Sequence, residues 1–283
     1  MNQNISPLAV ASRLTRRIAN GLMRWVQNVS SWLSVQDLHN YLHKQAADDS
    51  GDVYRFNAGF RDKWVADRAK SVEPGSRVLD IGAGTAPYKE LFAHCKYETQ
   101  DFAQYEGYKG AEGQYAKIDH VSDITAIPVP DESFDVILCT EVLEHVPYPI
   151  ESLKEMIRIT KRGGRLFITA PLGSGLHQEP YHFYGGYTDH WYRKFLTEFG
   201  CDVVSIEPNH GFFAHLAQEC VRFESTYDQH KNLHERHGKQ LLNLMGNLLP
   251  RYLYKIDKAI LIREFTVGFH VEARCRPVQS GQS

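Results

Sequence analysis

Cysteine is scarce in this sequence: five residues among 283, at positions 95, 139, 201, 220 and 275, with no C-x-x-C pair. That excludes a disulfide framework and a zinc knuckle, and suits a reducing compartment. No apolar run approaches the ~20 residues that a membrane-crossing helix needs. A signal-peptide core is missing too, because Arg13, Arg16 and Arg17 interrupt the first apolar stretch, so cytoplasmic is the expectation. Excess charge is also small. A formal net charge of −2 creates no field that calls for nucleic acid. What the chain does have is a hydrophobic fraction of 42%, ample for one large α/β domain with additions.

Strand-like and helix-like stretches alternate from about Tyr54 to Pro208. "RVLDIG" is a short apolar run closed by glycine, and "TAPYKELFAHC" reads as the helix after it. "YETQDF" and "YAKID" read as the second and third strands, and "FDVILCTE" as a buried fourth. "PIESLKEMIRITK" is an amphipathic helix that Gly163 and Gly164 are expected to stop. "RLFITAP", the helix "DHWYRKFLTEFG" and the strand "CDVVSIEP" follow. This alternation predicts βαβ units in a doubly wound, mostly parallel sheet. "FTVGFHVEARC" near the end alternates, with Phe265, Val267, Phe269, Val271 and Ala273 on one face, and predicts a half-exposed antiparallel strand at or near an edge.

The glycine loop carries the first chemistry. Gly82 and Gly84 fill two places of G-x-G-x-x-G, but Pro87 stands at the third. Asp80 ends the strand two residues before Gly82. A carboxylate there would repel a diphosphate docking on the following backbone. It suits a cationic amine instead. S-adenosylmethionine carries an ammonium, a sulfonium and an adenosine, and no phosphate.

With Asp80, Gly82 and Gly84 in the pattern D-x-G-x-G, the chain resembles the class I S-adenosylmethionine-dependent methyltransferases. The resemblance spans roughly Val72 to Pro208 plus the closing strand, and implies a seven-stranded Rossmann-like sheet. It implies that Asp101, with Phe102 beside it, holds the ribose hydroxyls through two acceptor oxygens. It implies that Asp123 accepts from the adenine amino group with Ile124 against the ring. It also places Cys139, Thr140, Glu141 and Val142 of "FDVILCTEVLEHV" beside the cofactor, and gives His145 a structural role. Arg55, or Arg61 in the same segment, is a candidate for the methionine carboxylate, with Arg55 the first choice. No metal is implied.

The loop after "RLFITAP" should lie over the transferred methyl. It reads "LGSGLHQEPYHFYGGYTDHW" and gathers His177, Glu179, Tyr181, His182, Tyr184, Tyr187 and His190 in few residues. Histidine titrates near neutral pH, which makes it the natural general base. His182 is the first candidate, then Glu179 and His177. His190 is expected to cap or face the following helix. This loop narrows the resemblance to a bacterial subgroup of small-molecule and surface-glycan pathways. Its members tend to carry Arg where Gly186 stands and Gly where His210 stands, so His210 is a candidate extra polar group at the acceptor pocket.

Four segments follow: an N-terminal helical extension at 1–52, a cofactor-binding core at 53–210, a helical insertion at 211–264, and a final strand with tail at 265–283. The extension, helical from about Leu8 to Lys44, has a basic face. It lies either on an anionic membrane surface or, the preferred reading, over a cleft or partner. The insertion, broken near Gly238 and Pro250, bears apolar rows from Leu241 to Leu261. These must pack on the sheet, on the N-terminal helix, or across a homodimer interface.

The leading function is O-methylation of a small molecule or glycan intermediate. Carbon methylation of a quinone- or polyketide-like acceptor is the second reading, and a non-catalytic cofactor-binding module the third. Nucleic-acid methylation is disfavoured by charge and by "CTEVLEHV" in place of an N/D-P-P-Y/F sequence. Protein arginine methylation is disfavoured because Glu141 and Glu144 sit in a common family motif rather than forming a distinctive acid pair.

Overall fold

The structure is a computed structural model. It describes residues 35–46, 52–108, 115–229 and 238–276. The chain divides into two compact units, one of residues 1–50 with 220–252, the other of residues 51–219 with 253–283.

The larger unit is built on a seven-stranded sheet: β1 (Arg77–Ile81), β2 (Lys96–Asp101), β3 (His120–Val121), β4 (Phe134–Thr140), β5 (Thr160–Pro171), β6 (Cys201–Pro208) and β7 (Gly268–Cys275). Their spatial order is β3-β2-β1-β4-β5-β7-β6. β1 to β5 are parallel and β7 runs antiparallel between β5 and β6. The doubly wound, mostly parallel sheet is therefore as expected. The order reverses between β1 and β4, and a crevice opens at such a switch point beyond the carboxyl ends of the strands.

Two-residue periodicity sorts the core onto two faces. Val78, Val136, Leu138 and Phe167 point to the side covered by Trp64, Val65 and Ala69 of the helix Phe56–Ala69. Leu79, Ile81, Ile137, Cys139, Leu166 and Ile168 point to the other. There they meet Leu153, Met156 and Ile159 of the helix Pro149–Ile159, and Tyr192 and Leu196 of the helix Asp189–Glu198. Thr188 caps the latter helix by accepting from the Trp191 N–H, so His190, exposed in the first turn, is not its cap.

Several local expectations are corrected. "TAPYKELFAHC" holds only a 3-10 turn, Lys89–Phe92. Gly82, Gly84 and Ala86 have φ of 66°, 53° and 51°, left-handed values that no α-helix can contain, and Pro87 follows at once. "YAKID" is not a strand. The Asp119 carboxylate takes the Thr99 N–H at 3.1 Å, and the ladder is confined to His120–Val121. Gly163 and Gly164 do not stop a helix. The helix ends at Ile159, and the glycine pair lies within β5, where Phe134 pairs with Thr160 but Val136 with Arg165. That bulge needs Gly163 at φ 76° and leaves Gly164 against backbone oxygens.

β7 is antiparallel and next to an edge, but it is not half-exposed. It is buried on both faces. His270 lies under the rings of Phe60 and Trp64, and Glu272 is paired to Arg165 and Arg68. Phe265 lies outside the strand, exposed on the turn Arg263–Phe265.

The smaller unit contains the helix Val35–Ala46, whose Leu42 packs on Leu244, Leu248 and Tyr252. This accounts for part of the leucine rows of the insertion. The rest of the expected N-terminal helix, with its arginines, lies outside the described residues. Pro250 does not break the insertion. It follows a π-helical turn, Leu244–Leu248, and takes the second place of the helix Leu249–Ala259, where the ladder changes period and an N–H is least missed. No helix among the described residues is long and apolar enough to cross a membrane.

Candidate active site

One cavity of about 700 Å³ opens at the carboxyl ends of β1 to β4. Four strand ends deliver a polar residue to it: Asp80 from β1, Asp101 from β2, Asp123 after β3, and Thr140 with Glu141 from β4. Gly82, Phe102, Ile124 and Val142 also line it. A Cβ on Gly82 would stand 2.4 Å from Cγ2 of Val142, so glycine alone lets the two loops touch there.

Asp80 is buried, and Tyr97 donates its hydroxyl to it. Burial pushes the Asp80 carboxyl up to about 7, because the hydrogen bond does not replace lost water and Asp101 adds like charge. Asp101 is positioned by two backbone donors, Gly84 N–H at 3.0 Å and Ala103 N–H at 2.8 Å. Each of its oxygens keeps a lone pair for a further donor. Asp123 uses Oδ1 to hold the Thr125 N–H at 2.8 Å and the Thr125 hydroxyl at 2.7 Å. Glu141, at φ 54°, accepts from Thr169 at 2.8 Å.

Arg55 is a correction. It immediately precedes the helix Phe56–Ala69, is exposed, and does not line the cavity. Arg61, six residues on and so on a different side of that helix, does. Its Nε donates to the Tyr88 hydroxyl at 3.0 Å and its Nη1 lies 3.8 Å from Glu141 Oε2.

The loop after β5 brings His177 and His182 against His145, which follows β4. Ring centroids are 4.7 Å apart for His145–His177, 4.6 Å for His177–His182 and 5.7 Å for His145–His182. His145 lines the cavity, as do Gln178 and Tyr181; His177 and His182 do not. Glu179 is exposed and, like His177 and His182, does not line the cavity. Burial brings His145 down to about 4, so it is neutral near pH 7, and burial with the neighbouring His177 holds His182 below its ordinary value.

His210 does not reach the cavity lining. It sits among Phe56, Phe60 and Tyr254, with Nδ1 3.5 Å from Asp257. Gly186 has a steric reason: a Cβ there would stand 2.3 Å from the Pro171 carbonyl oxygen. Tyr97, Tyr88 and Tyr181 were not singled out for the cofactor site from the sequence. Their contacts to Asp80, Arg61 and Phe102 are long-range and leave no local pattern.

Residues 53–183 match the family described as "Methyltransferase domain". This part of the chain is thus similar to a methyltransferase domain. The cavity suits S-adenosylmethionine: a buried carboxyl group at Asp80 can face a cation, further carboxylates line the strand ends, and Arg61 is at hand. The methyltransferase domain is similar to demethylmenaquinone methyltransferases. One from Renibacterium salmoninarum is 32% identical over 123 residues, covering 43% of this chain and 52% of that protein. One from Mycobacterium sp. (strain KMS) is 36% identical over 102 residues, 35% of this chain and 44% of that protein. The chain thus spans about half the length of the curated relatives it matches. Among solved structures, Haemonchus contortus phosphoethanolamine N-methyltransferase 2 with S-adenosyl-L-methionine is 17% identical, with a TM-score of 0.44, covering 77% of this chain and 52% of that one.

Proposed function

We propose that the protein moves a methyl group from S-adenosylmethionine to an oxygen of a small molecule or glycan-pathway intermediate. The observation that carries this is convergence: four strand ends and His145, one member of a histidine cluster, meet at one cavity. The bound cofactor supplies a methyl group on a sulfonium, ready for in-line displacement. Asp80 faces the cationic amino-acid portion, Arg61 its carboxylate, Asp101 the ribose hydroxyls, and Asp123 with Ile124 the adenine. Thr140 and Glu141 shape the wall between them.

His182 takes the acceptor's proton. Its Nε2 bonds Ser174 Oγ at 3.1 Å, and the Ser174 hydroxyl is committed to the Gly185 carbonyl at 3.1 Å. Nε2 is therefore the donor, which leaves Nδ1 free to accept. Removing the proton leaves the O–H electron pair on the acceptor oxygen, which attacks the methyl carbon, while the aromatic lining of Phe102, Tyr181 and Phe183 limits water.

Carbon methylation of a quinone-like acceptor is the second reading, favoured by the names of the relatives. It needs the same deprotonated hydroxyl and differs in where the methyl arrives. Isotope-labelled turnover across a panel of phenols, quinols and sugars tests both, with the labelled methyl located by NMR. Cofactor binding without transfer to any acceptor would leave a binding module, and absence of cofactor binding would overturn the proposal.

A further inference from the structure

The turn after β4 and the loop after β5 assemble a second set of donors that methyl transfer by itself does not require. Glu144, His145 and His177 each offer one ligand atom, and those atoms all lie within 4.8 Å of one another. Glu144 is 1% exposed, and its Oε2 has no hydrogen-bond partner. Its Oε1 stands 3.7 Å from Nε2 of His145, which is also buried and without a hydrogen bond. A carboxylate so placed requires either a proton or a cation.

The imidazole tautomers are fixed from outside. A carbonyl oxygen can only accept, so Nδ1–H of His145 donates to Tyr181 at 2.7 Å and Nδ1–H of His177 donates to Gly175 at 2.9 Å. Nδ1 of both rings is thereby committed, and Nε2 is the atom left for a ligand. Backbone carbonyls that hold the remote nitrogen are the usual outer support of metal-binding histidines.

We propose that Nε2 of His145, Nε2 of His177 and a carboxylate oxygen of Glu144 bind one divalent transition-metal ion at the cavity wall. Two nitrogens and one carboxylate, with positions left for water or substrate, suit zinc, cobalt or manganese rather than magnesium. The ion's role rests on the methyl-transfer reading. An acceptor hydroxyl drawn to the ion loses its proton more readily. The proton passes to His182 or water, the oxygen lone pair forms the new O–C bond, and the S–C bond breaks with its electron pair left on sulfur.

The test uses the full chain stripped with chelator and titrated with Co2+ alone, reading visible ligand-field bands and stoichiometry. One equivalent is expected, displaced by Zn2+. His177→Ala and Glu144→Gln should each weaken it by about tenfold or more, a loss at least as large as that caused by removing an outer partner. His190→Ala, on the exposed face of the next helix, should leave it unchanged. Zn2+ should also raise the melting temperature of the parent but not of His177→Ala. No stoichiometric Co2+ band, or equal binding by parent and His177→Ala, overturns the site. S-adenosylmethionine affinity measured on the same samples keeps the two readings apart: metal binding lost with cofactor binding intact overturns only the metal site.

Discussion

Tyr97 donates its hydroxyl to the carboxylate of Asp80 from the neighbouring parallel strand, and this is the hydrogen bond that the buried acid receives from its own sheet. It is not enough to offset burial, which pushes Asp80 up to about 7. In the unfolded chain the same carboxyl titrates near 4. The folded, ligand-free protein therefore holds a proton that the unfolded chain has lost. Its stability falls as pH rises from about 4 to about 7 and is level above. Asp80→Asn should remove that fall, and the ligand-free variant should be more stable than the parent at pH 8 but not at pH 4. Denaturation midpoints at both pH values check this. Cofactor affinity should move the other way. The parent should bind more tightly as pH rises towards 8, and Asp80→Asn should bind roughly 10–100-fold more weakly, the scale of a lost charged hydrogen-bond partner.

Arg61 and Arg55 give a second, comparative expectation. Arg61→Ala should weaken S-adenosylmethionine binding by about 1.5–3 kcal/mol, the scale of a charge-assisted bond. Arg55→Ala should stay within about twofold, since its side chain is exposed and off the cavity wall. Calorimetric titration of both variants decides between them. Equal losses would return the carboxylate to Arg55.

Gly82→Ala should disable cofactor binding with the sheet intact. The added methyl would lie 2.4 Å from Val142 Cγ2 and 2.9 Å from its Cγ1, on a backbone at φ 66°. Pairing it with Val142→Ala removes the collision and leaves only the dihedral strain. Binding by the double variant should therefore recover partly, and no recovery would assign the whole cost to the backbone. Circular dichroism should show parent-like strand content in both.

What was legible in the sequence follows from range. Asp80, Gly82 and Gly84 could be found because a contiguous apolar strand runs into them, whereas Asp101 ends a polar strand and came from the family resemblance. Arg61 was seen but ranked second, since nothing local says which side of the helix meets the cavity. Tyr97 was not seen for its role because its partner is on another strand. The Gly163–Gly164 pair looked like a helix stop because a bulge and a stop demand the same residue. β7 looked half-exposed because His270 and Glu272 are polar. Aromatic rings cover the first, and two arginines compensate the second. His145 carried a structural reading from the motif. Only the fold brings it against a loop some 30 residues away, where its Nε2 meets Glu144 and His177.

His182 is the sharpest test of the chemistry. Its imidazole is oriented by Ser174, which is itself oriented by Gly185, so Nδ1 is the accepting atom. General-base catalysis is typically worth about 10²–10⁴-fold. His182→Ala should cut turnover by that order while cofactor affinity stays within about twofold, because His182 does not line the cofactor cavity. The ring is partly exposed, so removing it should leave the melting temperature near that of the parent. Ser174→Ala provides the graded companion. It leaves the imidazole in place but frees its orientation, so the loss should be smaller than for His182→Ala. Glu179 is the discriminating control. It stands on the same loop but is exposed, whereas His182 is half-buried and oriented by Ser174, so Glu179→Gln should cost less than about tenfold, the lower edge of what a positioned base gives. If Glu179→Gln loses more than His182→Ala, the proton goes to the carboxylate and the loop must close differently when the acceptor binds. If neither loses more than tenfold, alignment over the methyl group drives the reaction and the histidines serve the wall of the cavity.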